Sequence, residues 1–185
     1  PGQTLSIQER ERKIVEKILA LPLIAKYELS EKIRTNKELA SFIKKVRNLK
    51  KSVPDSVSYE NVSLAYAKSV TEARKIIKYF RAKGYVFINY SKSNCCYSPY
   101  EKYYEEDYDT HHVIGQEFDN DLLLMDNSFY YDKDGVLQGV THPNPDYLYP
   151  NLFYQGITRV REKIAIVVVE APILFQQIAS IFDRG

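Results

Sequence analysis

Thr110-His111-His112-Val113-Ile114-Gly115-Gln116-Glu117-Phe118-Asp119, running into Leu122-Leu123-Leu124-Met125, is the most telling segment of the chain. A second stretch repeats its layout: Leu152-Phe153-Tyr154-Gln155-Gly156-Ile157-Thr158-Arg159-Val160-Arg161-Glu162-Lys163 runs into Ile164-Ala165-Ile166-Val167-Val168-Val169. In each, a polar cluster stands beside a run too apolar to face water. That is the pattern of a strand in a parallel sheet covered on both faces, with a site at the sheet's rim.

The neighbouring segments fit such a sheet. Val62 to Ala67 alternates and predicts a strand, and Tyr85 to Tyr90 predicts another. Between them Ser69-Val70-Thr71-Glu72 opens a helix that runs through Ala73, Ile76, Ile77 and Phe80 to Gly84, a residue suited to the left-handed turn after a helix. Strand, helix, glycine and strand form a βαβ unit with parallel strands. Lys68 and Ser69 follow the first strand, on the side where open α/β sheets bind ligands.

Four more helices are expected. Ser6 to Ala20 carries Ile7, Ile14 and Ile18 at helical spacing, with Ser6 and Glu9 placed as a capping box. A second helix spans about 37–50, started by Asn36 or Thr35 and with Leu39, Phe42, Ile43 and Val46 on one side. The others run from about Tyr149 to Val160 and from Pro172 to Phe182.

Residues 91–109 hold Tyr97, Tyr100, Tyr103, Tyr104 and Tyr108 among acidic residues, without a period. Rings can stack on bases, but the carboxylates repel phosphates, so a loop packed on its own domain is expected. Residues 127–150 read as a loop with a turn or small hairpin at Tyr131 to Leu137. Asp132-Lys133-Asp134-Gly135 lacks the spacing and the closing glutamate of a calcium loop, so no calcium site is expected there.

The 185 residues suffice for one domain with a real core, and the 44% hydrophobic and 27% charged shares are those of an ordinary globular chain. No apolar run approaches the roughly 20 residues that span a bilayer, and a cytoplasmic, non-membrane protein is expected. Cys95 and Cys96 are adjacent, a poor geometry for a mutual disulfide, and read as reduced thiols. Pairing them with His111 and His112 gives poor zinc-ligand spacing, so no metal site is expected. Residues 1–54 hold 13 Lys/Arg against 6 Asp/Glu, net +7, whereas residues 55–185 hold 13 against 18, net −5. The basic first third suits a polyanion or a solvated helical surface.

The two quoted stretches resemble motifs V and VI of superfamily 1 DNA/RNA helicases. Motif V is matched by His111, Gly115, Glu117 and Phe118, and motif VI by Tyr154, Thr158, Arg159 and, in its last apolar place, Ile164. Lys32-Ile33-Arg34-Thr35-Asn36 is similar to motif IV, with Ser30 where the family's polar partner of the arginine is usual. Within the superfamily the wording looks most like a Schlafen-related bacterial group.

The resemblance implies an α/β, three-layer RecA-like domain with a mostly parallel central sheet flanked by helices. It implies one domain over 1–185, the second of two motor domains. Residues 1–24 would then be a leading helix from the inter-domain region, and 91–109 and 127–150 insertions. It further implies Arg159 as an arginine finger and Arg34 as a second phosphate contact, with Gly115 and Glu117 at the nucleotide. His111, Thr158, Lys68 and Ser69 would lie along single-stranded DNA or RNA.

No Gly-x-x-x-x-Gly-Lys-Ser/Thr loop occurs among only 7 glycines. The resemblance implies ATP and Mg2+ in the full-length protein, held by a first RecA-like domain of the same chain, and neither is expected bound to this piece, which should be inactive alone. Pro1 in place of Met agrees with a piece of a longer chain. The alternative is a catalytically inactive helicase-like module that binds a protein or nucleic acid.

Overall fold

The computed structural model describes residues 5–22, 36–52, 57–92, 100–103, 106–139 and 147–184. Arg34, Cys95, Cys96, Tyr97 and Tyr104 lie outside the described residues, and with them the motif IV reading.

Five strands form one sheet: β1 (Val62–Ala67), β2 (Val86–Asn89), β3 (Tyr108–Asp109), β4 (Phe118–Met125) and β7 (Val160–Val169), in the order β1-β7-β4-β2-β3 with every pair parallel. The expected mostly parallel α/β architecture is what forms. The most apolar strands take the middle: Leu122 to Met125 and Ile164 to Val169 are completely buried, because helices cover both faces. Helix α4 (Val70–Ala82) joins β1 to β2 and packs on β1, β7 and β2. Helices α3 (Lys37–Arg47) and α5 (Tyr149–Ile157) pack against each other and on β7 and β4 respectively, and α6 (Pro172–Ala179) follows β7. β1 and β2 are parallel as predicted, with β7 and β4 between them.

Local signals set the helix starts. Ser69 Oγ accepts from Glu72 N, and Gly84 follows α4 at φ +83. Asn36 Oδ1 accepts from Leu39 N at 2.8 Å and starts α3, which buries Leu39, Phe42, Ile43 and Val46. Asn36→Ala is expected to cost about 1 kcal/mol in urea unfolding. An unchanged midpoint would mean that packing alone sets the start of α3.

The first helix differs from expectation. The capping box forms, with Glu9 N donating to Ser6 Oγ at 3.1 Å and Ser6 N donating to Glu9 Oε2 at 3.2 Å. The helix then breaks at Lys13, at φ 49, into α1 (Ile7–Arg12) and α2 (Ile14–Leu19). Glu9 to Lys13 is a run of five charged residues that buries nothing to hold a straight course, and Ile14 and Ile18 remain exposed.

Two tyrosines of the irregular segment pack inward, as expected for a loop folded on its own domain, whereas Tyr108 is exposed. Tyr100 and Tyr103 are buried, and Tyr100 meets Tyr90, Tyr149 and Phe129. Two of the buried hydroxyls have polar partners, Tyr90 Oη donating to Leu124 O and Tyr100 Oη to Asp126, whereas the Tyr103 hydroxyl has none among the described residues. Residues 129–139 form the hairpin, β5 (Phe129–Tyr131) with β6 (Leu137–Gly139), turning at Gly135 with φ +74. The Asp132 carboxylate accepts from Asp134 N, Val136 N and Gln138 Nε2 and so closes that turn. No helix among the described residues is long and apolar enough to cross a membrane.

Candidate functional site

The two quoted stretches begin 42 residues apart in sequence and meet at the N-terminal ends of β4 and β7. Phe118 N donates to Arg159 O at 3.0 Å, and Phe118 is in register with Val160. The register then shifts: Asn120 pairs with Lys163, so β7 carries one residue more than β4 over this step. Such a bulge breaks alternation, and Arg161, Glu162 and Lys163 are exposed in succession. It aims Arg161 at Glu117, whose Oε2 accepts from Arg161 Nε at 3.0 Å and Nη2 at 2.8 Å. The Glu117 hydrogen bonds hold the exposed Arg161 guanidinium above its ordinary range. Gly115, exposed and at φ +84, turns the segment that leads into β4.

Arg159 lies differently from the expectation that its guanidinium leans outward from the rim. It is buried, at 6% exposure, and its Nε donates to Gln155 O at 3.1 Å, a carbonyl of the last turn of α5. The end of α5 supplies that partner, and beside it stands Asp121, which is completely buried. Leu123 touches α5 at Gly156, and Asp121, two residues earlier, is on the same face of β4. The C-terminal end of α5 therefore lies over an acid, and the helix dipole together with the Gln155 carbonyl draws the arginine in beside it. Burial raises the Asp121 pKa to about 8, and the positive charge of Arg159 opposes the rise. Neither carboxyl oxygen of Asp121 has a hydrogen-bond partner among the described residues.

The residues expected along nucleic acid fall into separate places. Thr158 ends α5, its Oγ1 donating to Tyr154 O at 2.8 Å. Lys68 and Ser69 follow β1, whose last residue Ala67 pairs with Val169 at the far end of the ten-residue β7. At 3.3 Å per residue they stand about 30 Å from Thr158 along the strands, so the four do not form one contact surface. Ser69 is spent on capping α4, and Lys68 N donates to Glu72 Oε2 at 2.7 Å. His111 follows the C-terminal end of β3; its Nδ1 lies 2.6 Å from Ser91 Oγ and its ring 5.1 Å from that of Tyr147. Asp109 anchors this turn. Burial raises its pKa, but hydrogen bonds from His112, His111 and Ser91 outweigh burial and hold it below the usual range.

Sequence reasoning missed Asp121 and Arg161. The apolar run is quoted from Leu122 onward, and Asp121 before it is given no role. Its place immediately before four apolar residues was the available signal.

Compared with protein-family models and with curated proteins, the sequence has no match in either. Solved structures similar to it include the C-terminal domain of a possible DNA helicase from Lactobacillus plantarum WCFS1, with 15% identity, a TM-score of 0.32, and coverage of 78% of this chain and 92% of that chain. A TM-score of that size does not establish kinship.

Proposed function

We propose that the domain is the second motor domain of an ATP-dependent DNA or RNA helicase or translocase, one that meets nucleotide at the rim formed by Gly115 to Phe118 and Thr158 to Arg161. What supports the reading is the meeting of the two motif-like stretches at one rim, through the Phe118 to Arg159 hydrogen bond and the Glu117–Arg161 pair. A first RecA-like domain holds the triphosphate and Mg2+, and this domain supplies cations as charge builds on the transferred phosphoryl group. Arginine suits that task because it stays charged and offers a planar fork of donors.

For Arg159 to reach a phosphate it has to leave Asp121. A carboxyl with a pKa of about 8 keeps its proton at neutral pH, so Arg159 departs without stranding a bare buried charge. Arg161 is already exposed at the same rim and is a second cation for the site.

A 15N NMR titration of the 185-residue chain with MgATP tests this reading. Weak binding, with Kd on the order of 1 mM, should shift the amides of Gly115 to Phe118 and Thr158 to Arg161, with no turnover of ATP. Absence of shifts at saturating nucleotide, or turnover by the chain alone, contradicts it. The burial of Arg159 favours a second reading, a catalytically inactive module. Under that reading Arg159→Ala leaves any MgATP response unchanged.

A further inference from the structure

A cleft of about 610 Å³ opens on the α3 and α5 side of the domain, away from the rim. Its wall is built from three places: the exposed side of α3 and the residues after it, the N-terminal end of α5 with β6, and α1. Leu148 N donates to Leu5 O at 2.9 Å and Ser6 bridges to Tyr147, which ties α1 down and brings Arg10 to the opening. Lys44, Arg47 and Lys51 complete a lining that, among the described residues, has four cations and no carboxylate. All four are exposed, and none is in an ion pair among the described residues. Arg47 lies flat over the Tyr154 ring, 4.1 Å from its centroid, which fixes its guanidinium at the wall.

Gathering four unneutralised cations into one concavity costs self-repulsion that an anionic occupant relieves. The α5 helix adds its positive end, with Tyr149, Pro150 and Asn151 on the cleft wall. Asn48, Gln138 and Asn151 bring amides and Tyr147 a ring among the cations. Cations for the backbone with amides and a ring for bases are the composition of a groove for a single strand, and the volume falls within the range of small-molecule pockets, too small to admit a duplex.

A second cleft, on α4, is also basic, but two of its four cations are engaged, Arg81 with Asp107 and Arg74 Nη2 with Lys102 O, which leaves Lys75 and Lys78.

We infer that the cleft between α1, α3 and the start of α5 binds the phosphate backbone of a single-stranded nucleic acid through Arg10, Lys44, Arg47 and Lys51. The choice of polyanion rests on the helicase-type reading, but the site uses none of the rim residues, so the two fail separately.

The test is fluorescence anisotropy of a labelled 12-nucleotide oligo(dT) on the 185-residue chain. Four phosphate contacts predict a log–log salt slope of about −3, or about 50-fold weaker binding at 200 mM than at 50 mM salt. The double variant Lys44→Glu/Lys51→Glu should weaken binding by at least about tenfold, both side chains being exposed. Lys75→Glu/Lys78→Glu, in the α4 cleft, should change it less than about twofold. A salt slope near zero overturns the inference without any variant. It is also overturned if the α4 variant is the one that loses binding, or if a polyglutamate peptide competes as well as the oligonucleotide. Loss of the MgATP shifts at the rim alone leaves the cleft standing and removes the motor reading.

Discussion

Replacing Arg159 by alanine should cost about 1 kcal/mol of stability at pH 6 and about 3 kcal/mol at pH 9. At pH 6 Asp121 carries its proton, because burial raises its pKa to about 8. The variant then loses chiefly the hydrogen bond from Arg159 Nε to Gln155 O. At pH 9 the buried carboxyl is ionised beside Arg159 in the parent, whereas the variant has to strand that charge or retain its proton against the solvent.

The parent chain has its own pH dependence through the same group. Asp121 titrates near 3.8 when unfolded and near 8 when folded, so between these values the folded chain holds a proton that the unfolded chain has lost. This contribution is fully present below the unfolded value and is lost as pH rises through the folded one, at about 1.4 kcal/mol per pH unit within the window. Asp121→Asn should remove that slope. Urea unfolding at several pH values measures both effects, and an Arg159→Ala cost independent of pH refutes the linkage.

Gly156→Val is expected to destabilise the domain by about 3 kcal/mol, the upper range for an overpacked core. A Cβ at Gly156 would lie 2.7 Å from Leu123 Cδ2 and 3.4 Å from Ile88 Cγ2, and both neighbours are held in the buried sheet. Helix α5 therefore has to rise off β4 and β2. Alanine meets the same first contact, but a gain in helix propensity of about 1 kcal/mol offsets part of its cost, so Gly156→Ala should fall well below valine. Because Thr158 and Arg159 follow directly from α5, lifting the helix also draws Arg159 away from Asp121 and alters the pH dependence. Valine tolerated within about 0.5 kcal/mol would mean that α5 is not seated closely at this point.

Much of the sheet could be read from the chain because its strongest signals are local. The runs Leu122 to Met125 and Ile164 to Val169 have no polar face, and only a doubly covered strand accommodates that. The caps at Ser6, Asn36 and Ser69 involve residues three apart and are readable for the same reason.

The site was less legible because its geometry depends on pairings distant in sequence. The inward turn of Arg159 places it beside Asp121 of β4, a neighbour distant in sequence. Glu117 meets Arg161 across 44 residues, at a bulge that periodicity does not reveal. Lys68 and Ser69 look like ligand-binding residues from their place after a strand, but the parallel register puts them at the opposite end of the sheet from Thr158. The cations of the cleft come from two helices and the residues after one of them. Only the basic excess of residues 1–54 announces them in the sequence.

One rim carries both motif-like stretches, and its arginine stays at the end of α5 beside Asp121 until a phosphate takes it. Carboxyl 13C NMR of Asp121, titrated with pH in the absence and presence of saturating MgATP, tests that claim most directly. The predicted result is a midpoint near 8 without nucleotide and a higher one with it, because the departing guanidinium no longer favours the ionised form. A midpoint in the ordinary carboxylate range, or one that nucleotide leaves unmoved, contradicts it.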